Sequence, residues 1–533
     1  MSAHVKSRPL LLLAVLAAAA MDAVNGTALS LAGAHAMGDL RSTPDAFALT
    51  DLAYVGARLA GFPAVPWIAD RVGRRRGLAG AILLVAAASL GCALVSDLAP
   101  FVLLRALQGI GGAFVLVLGQ TALFESFPER QQGLIQAIFA LAAVMLPNAL
   151  APWLEGWLTD NLSWPWIFAA NLPLAAVALG ALRAGTRADP PASTRRTQIA
   201  EVAALSLLAI GVPCLVFVLQ RGERWDWLAA PLIESSAYVA VLALGGFVVH
   251  HWRGRGHGAL VDVAVFRDAN FVFGFAISFV AGAALYCSGF LVPAFAVSVL
   301  GYPARQAGAL LAPSGAAIAL GLLLAGATMQ LRGTRPLAVV PFGIGLFMLA
   351  MWVFSGSSSQ SGDAQLWMPL CLRGLGLGLL FMALTLLMLS GLRGAHIAHG
   401  VALFNIGRQL GGLAGVAGLQ HYLDWRMAVG RSVLAQHFEF ADPVFAGRLG
   451  ALADALTTHG LDAAQALAGA TALMAHALQR QLAVLAFDDA YLSVALLFVA
   501  ATPVLLGIKL MQKRHAARAP HAVFPPTLKG DFA

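Results

Sequence analysis

Apolar positions in this chain do not alternate with polar ones. They run on for about twenty residues at a time, from one end to the other. A bilayer core of about 30 Å is crossed by roughly 20 helical residues. A backbone in lipid must satisfy its own hydrogen bonds, so continuous runs of this length read as spanning helices. Barrel strands would alternate instead. Fourteen spans are predicted, at 10–36, 46–69, 77–96, 99–124, 132–158, 163–182, 200–220, 229–251, 271–299, 307–330, 336–355, 365–391, 398–423 and 487–510. The first follows Lys6 and Arg8, as the core of a signal peptide does, but its apolar character continues past Asp22 to about Ala36, so it reads as a span. The segment 463–486 is also apolar, yet it carries His476, Gln479, Arg480 and Gln481. It is read as an amphipathic helix lying on or above the membrane.

Composition agrees with a polytopic α-helical membrane protein: 59% of the 533 residues are hydrophobic and 11% charged, where a soluble domain has about 45–50% apolar residues. The net charge of +8 changes the picture only through its distribution. With the N-terminus inside, 22 of the 34 Lys and Arg fall in inner segments, eight in outer segments and four within helices. The positive-inside rule then puts both termini in the cytoplasm and the segment 424–486 outside. This excess explains the basic balance without nucleic acid. The four cysteines lie in apolar runs without metal spacing, and "HHWRGRGH" (250–257) ends a helix among arginines, so no metal site is read. No GxxxxGK[ST] string supports an ATP-driven pump, and no cofactor is implied.

Two halves show through. "LLRALQGIGG" (103–112) and "CLRGLGLGLL" (371–380) share Leu-Arg-small-Leu followed by glycines, and "DRVGRRR" (70–76) has a weak echo in "QLRGTRP" (330–336). If the seventh and eighth spans are an insertion, the other twelve divide six and six, and each pair falls at equivalent places. Parallel six-helix repeats of this kind build several transporter folds.

"DRVGRRR" resembles the Asp-Arg-x-Gly-Arg-Lys/Arg-Arg loop of the major facilitator superfamily, with Pro66 where that family usually has Gly. "RALQGIGGA" (105–113), "GWLTDNLSWPWIFAANLP" (156–173) and "ALFNIGRQLGGLAGVA" (402–417) resemble further signatures of its fourteen-span drug:proton antiporters, the EmrB/QacA type. "APWLEG" (151–156) departs from their helix-5 Gly-Pro-x-x-Gly-Gly, and "DAVNGT" (22–27) keeps only the Asp of their helix-1 motif in register. The resemblance implies a major facilitator fold: a six-helix bundle (1–183), a linker with two inserted helices (184–268) and a second bundle with the external loop (269–533). It implies a proton-coupled antiporter of the bacterial inner membrane exporting amphipathic compounds. Its partners would be the substrate, protons and the bilayer, with a periplasmic adaptor and an outer-membrane channel in relatives from double-membrane bacteria. A permease for one metabolite on the same scaffold is the alternative, and a membrane-embedded enzyme or sensor a remote one.

Ionisable residues within a membrane are expensive and mark function by default. Asp22, mid-helix 1, is the leading proton-coupling acid; Arg105 of helix 4 lies at similar depth and is expected to face it. Glu155 and Asp51 are further candidates, Glu155 being equally read as snorkelling to the outer interface and Asp51 as neutralised by Arg58 on the same helix face. By the resemblance, Asp70, with Arg71, Gly73 and Arg74, forms a conformational latch in which the Gly permits a tight turn. Gln108, Phe275, Phe279, Tyr286, Phe381, Met382 and Arg408 are candidates for the cavity wall.

Overall fold

The computed structural model describes the chain except residue 1 and residues 30–31, 186–198, 254–259, 263–264, 267, 438–442 and 519–533. Arg187, Arg195, Arg196, Arg255, Arg267 and Lys529 of the inner segments therefore lie outside the described residues. The described chain is helical: α1 (Ser2–Thr27), α2 (Leu49–Gly61), α3 (Ala64–Val72), α4 (Arg74–Leu94), α5 (Leu98–Ser126), α6 (Gln132–Ala140), α7 (Leu146–Asn161), α8 (Asn171–Gly185), α9 (Ile199–Arg221), α10 (Pro231–Arg253), α11 (Ala269–Ser298), α12 (Leu311–Arg332), α13 (Pro336–Phe354), α14 (Asp363–Leu389), α15 (Ala395–His437), α16 (Pro443–Thr458) and α17 (Ala463–Arg518).

Among the described residues, eleven helices are long and apolar enough to cross a bilayer, and a bent pair makes a twelfth. The bent pair is Pro44–Gly61 with Ala64–Val72, at 62°. Its cause is local. Pro63 and Pro66 lack the N–H groups that would continue the α2 ladder, and a proline ring clashes with the preceding turn. The other two expected spans are helical but fail for different reasons. Between α6 and α7 a π turn, Leu141–Met145, breaks 132–158 into short pieces. The inner part of α15 carries Asn405, Arg408 and Gln409 on an otherwise small and apolar helix.

The internal repeat is present in the packing. α5 packs against α2 and α4 in the first half, as α14 packs against α12 and α13 in the second; α1 meets α5 and α8, as α11 meets α14 and α17. Small residues let these backbones approach, as they do in membranes generally. A methyl on Gly109 of α5 would strike the Tyr54 carbonyl of α2, and methyls on Gly374 and Gly378 of α14 would strike the Ser314 and Ile318 carbonyls of α12. Of the inserted pair, α9 packs on α2, where Gly56 lies against Pro213, and α10 packs on α9.

One expectation is corrected. Residues 463–486 do not form a separate helix on the membrane. They are the first part of α17, which continues unbroken into the last span. At 1.5 Å per residue, the 56 residues of α17 and the 43 of α15 extend to roughly 84 and 65 Å. Both therefore project well beyond a 30 Å core. α16 packs along the projecting part of α17, burying Ala466 and Ala470.

Candidate functional site

A cavity of about 660 Å³ lies between the two halves, walled by α1 and α2 on one side and by α11 and α15 on the other. It reaches the level of Ala48, Arg221 and Gln420, at the helix ends opposite the arginine-rich loop. At the loop end the halves are packed shut. α6 meets α12 so closely that a methyl on Gly133 would sit 2.7 Å from the Gly326 carbonyl, and the Leu134 N–H donates to Gln330 Oε1 at 3.1 Å. α3 packs there against α15.

Three residues of the helix-1 sequence "DAVNGT" make contacts to four different helices. Asp22 faces α2: its Oδ2 accepts from Arg58 Nη2 at 2.7 Å and its Oδ1 from the Tyr54 hydroxyl at 2.9 Å, while Arg58 Nη1 donates to the Tyr54 oxygen at 3.2 Å. Asn25 faces α5 and α8, its carbonyl accepting from Arg105 at 2.9 Å and its side-chain oxygen from Asn171 at 2.9 Å. Thr27 faces α7, its hydroxyl donating to Glu155 Oε1 at 2.5 Å. A methyl on Gly112 would strike the Asp22 carboxylate, so this glycine makes room for it.

These contacts revise the expected partners. Arg105 does not face Asp22. Its guanidinium, 1% exposed, holds the Asn25 carbonyl and Gln108 Oε1 (3.0 Å), and its Cζ lies 4.4 Å from the centre of the Tyr54 ring. The cation on Asp22 is Arg58, so Asp51 does not neutralise Arg58; Asp51 instead accepts from Gln220 of α9 at 3.4 Å and lines the cavity. Glu155 does not snorkel, being wholly buried against helix 1. Arg373 occupies in the second half the place of Arg105 in the first. It is 2% exposed and donates to Ser288 Oγ at 2.8 Å, Ser314 Oγ at 2.7 Å and the Leu285 carbonyl at 3.3 Å.

Of the seven cavity candidates, Tyr286 and Arg408 line the wall. Gln108 is buried between helices, donating to Ser89 Oγ at 3.0 Å, and Phe381 and Met382 are in the core. Phe275 packs on Phe266, Phe271 and the Gly407 backbone, and the Phe279 carbonyl lies over Gly411. The lining residues Tyr54, Gln409 and Gln420 were not singled out in the sequence. Tyr54 sits four residues before Arg58, one helical turn away, and this spacing was the available signal.

In the loop, Gly73 has φ +92° and ψ 148°, a region essentially closed to other residues, and it caps the start of α4. Its counterpart Gly333 has φ +62°. The arginines carry the contacts. Arg71 pairs with Glu201 of the inserted α9 at 2.7 Å and lies 4.1 Å over the Trp67 ring, Arg74 pairs with Glu125, and Arg75 donates to the Arg183 carbonyl at 3.3 Å. Asp70 is exposed and makes no ion pair among the described residues; it lies in electrostatic range of His399 at the start of α15.

Comparison with known proteins agrees with this architecture. The Multidrug export protein EmrB of Haemophilus influenzae is 28% identical over 440 residues, covering 82% of this chain and 84% of the relative. A Multidrug resistance protein B homolog of Mycobacterium tuberculosis is 27% identical over 402 residues, 75% and 73% of the two chains. The crystal structure of the human organic anion transporter MFSD10 is similar in fold, with a TM-score of 0.55 at 14% identity, covering 93% of this chain and 99% of that one. The family model described as Major Facilitator Superfamily matches residues 11–416, and the chain belongs to that superfamily.

Proposed function

We propose that this chain is a proton-coupled antiporter that exports amphipathic compounds by alternating access, with Asp22 as the coupling acid. The observation that carries the reading is the placement of Asp22. It is a carboxylate 5% exposed, at mid-bilayer depth, on the wall of the cavity between the halves, held by one arginine and one tyrosine. A buried carboxylate is costly to ionise, and a paired arginine offsets that cost. Loss or gain of the Arg58 contact as the halves rock would load and release a proton. A cationic or neutral amphipath displacing Arg58 or the proton from Asp22 would bind in exchange, which is what antiport requires. The relatives named as multidrug exporters support the substrate class.

The membrane placement follows from the charge distribution. Residues 1–183, 184–268 and 269–533 act as first half, inserted pair and second half, fourteen spans in all, both termini in the cytoplasm of a bacterial inner membrane. The projecting α15–α17 array then faces outward, where a periplasmic adaptor and outer-membrane channel would meet it. The latch is assigned to Asp70, Arg71, Gly73 and Arg74; Arg71 joins the loop to α9, Arg74 joins it to α5, and the neighbouring Arg75 joins it to α8 while the loop end is shut.

In proteoliposomes with an imposed pH gradient, Asp22→Asn is expected to insert normally and to lose uphill efflux by at least tenfold, about 1.4 kcal/mol in coupling. Full proton-driven efflux by this variant would remove Asp22 from the mechanism.

A second reading, a proton-coupled permease for an anionic metabolite, is favoured by one feature. Arg408, on the α15 wall, bonds only to the neutral Asn405 (2.9 Å) among the described residues and lies in electrostatic range of Arg58 and Asp22, so Asp22 has two cations within range. An anion bound there favours protonation of Asp22, whereas a cation opposes it. Substrate binding that weakens on acidification supports the antiporter, and binding that strengthens supports the permease.

A further inference from the structure

We propose that the groove between α15 and α17, where they leave the membrane, holds the phosphate headgroup of an anionic phospholipid. The groove is a cavity of about 240 Å³ whose polar wall consists of Ser298, Arg431, His476, Gln479 and Arg480, above a floor that includes Met427 and Leu482. Every polar side chain in that wall can donate a hydrogen bond, and none is a carboxylate.

The neighbourhood shows why these cations are available. Arg426, one turn inward, is already paired with Asp489 at 2.5 Å. Arg431 and Arg480 make no ion pair among the described residues. The closest acid on the same helix, Asp424, lies two turns from Arg431 and is shared electrostatically with His421. The two arginines therefore face an open groove without an ion-pair partner among the described residues, Arg431 lying only in electrostatic range of Asp424, on two helices that an anion would join. Arginine's planar fork takes two oxygens of a phosphodiester at once.

Depth selects the lipid as the source of the phosphate. Ser298 is the last residue of the span α11, so the groove lies at the end of the apolar zone. Trp425, 54% exposed, sits one to two turns inward of Arg431 on α15, beside Tyr422 at 6.0 Å. Aromatic residues at that position mark the membrane–water boundary. Basic pockets between spanning helices at the inner boundary bind anionic headgroups, and the same charge chemistry operates at this outer one. The floor is apolar, as the glycerol and the first chain carbons require. Leu482 also lies against Gly430, where a methyl would be 2.7 Å from its Cδ2, so α15 and α17 are already in close contact beneath the groove. A lipid seated there would clasp the two projecting helices at the membrane surface.

The test uses the full-length protein, delipidated in a neutral detergent. Native mass spectrometry reads the binding of phosphatidylglycerol and of phosphatidylcholine with the same acyl chains. Two arginines at a lipid surface are expected to favour phosphatidylglycerol at this site by roughly thirtyfold. Arg431→Gln with Arg480→Gln is expected to bind one phosphatidylglycerol fewer, while Arg431→Lys with Arg480→Lys retains it. The Lys pair also guards against a loss caused by misfolding. An unchanged phosphatidylglycerol stoichiometry in the Gln pair overturns the assignment. So does competition in which inorganic phosphate displaces that lipid at millimolar concentration, since the groove would then be a site for small anions.

Discussion

Two arginines within bonding reach of the same tyrosine have different work, and their partners say which. Arg105 is buried with a backbone carbonyl and a glutamine, and Arg373 repeats the arrangement in the second half with two serines and a carbonyl. Neither touches a carboxylate among the described residues, Arg105 lying only in electrostatic range of Asp51. They tie helix 4 of each half to helix 1 of that half. Arg58 is different: it is partly exposed to the cavity and holds Asp22. Arg105→Leu orphans the groups it bonds, at roughly 1–3 kcal/mol for each. It is expected to lower the thermal midpoint of the purified protein, as is Arg373→Leu. Arg58→Gln is expected to leave the midpoint within a few degrees and to abolish pH-gradient-driven efflux. Both are read by fluorescence-detected size exclusion after heating, beside a transport assay. Normal stability of Arg105→Leu with lost transport would assign Arg105 to coupling after all. The sequence showed that Asp22 and Arg105 share a depth, because depth is a count of residues along a helix. It did not show which cation meets the acid. That choice depends on the rotation of α1, α2 and α5 about their own axes, which is set by packing such as the notch at Gly112.

Among the elements, the straight and uniformly apolar helices were legible from their runs, and the deviations came from particular residues. Pro63 and Pro66 stand in the sequence as the reason for the bend between α2 and α3. The π turn at Leu141–Met145 has no proline or glycine within it to announce it. The polar residues of the outer part of α17 read as an amphipathic surface helix; in the structure Ala466 and Ala470 bury against α16, an interaction that hydropathy does not encode. The glycine strings of α5 and α14 were legible as a repeat, and the structure supplies their cause in backbone-to-backbone contact. Gly378→Val is therefore expected to be worse than the same change at an open position. Its branched side chain must displace the Ile318 carbonyl, and overpacking of this kind costs roughly 1–3 kcal/mol. Gly345→Val, where an added carbon meets nothing within 4 Å, serves as the control on α13. Equal thermal midpoints for the two variants would mean that α12 and α14 slide apart freely at that contact.

At the scale of the whole molecule, the cavity and the shut end together describe one state of a two-state machine. The halves are separated near Ala48, Arg221 and Gln420 and joined near Gly133 and Gly326. Alternating access requires the joined end to part, and the α6–α12 contact is the closest described approach between the halves there. Among the described residues it has no ion pair to break. Its closest part is the two glycine backbones with Ala137 and the bond from the Leu134 N–H to Gln330. Such a contact is close without being costly to separate, which suits a surface that must open in every cycle. The geometry also offers a lock. A Cβ built on Gly133 would lie 3.4 Å from the Gln330 Cβ, near the spacing of about 3.5–4.5 Å found in disulfides. Gly133→Cys with Gln330→Cys, in a background where the exposed Cys371 is replaced by Ala, is expected to cross-link on mild oxidation and to hold the arginine-loop end shut. Efflux should stop when the pair is oxidised and return on reduction, with each single variant active throughout. Efflux that continues through a fully oxidised pair would show that the two halves do not separate at α6 and α12, and the opening would have to be sought between α3 and α15, where Asp70 faces His399.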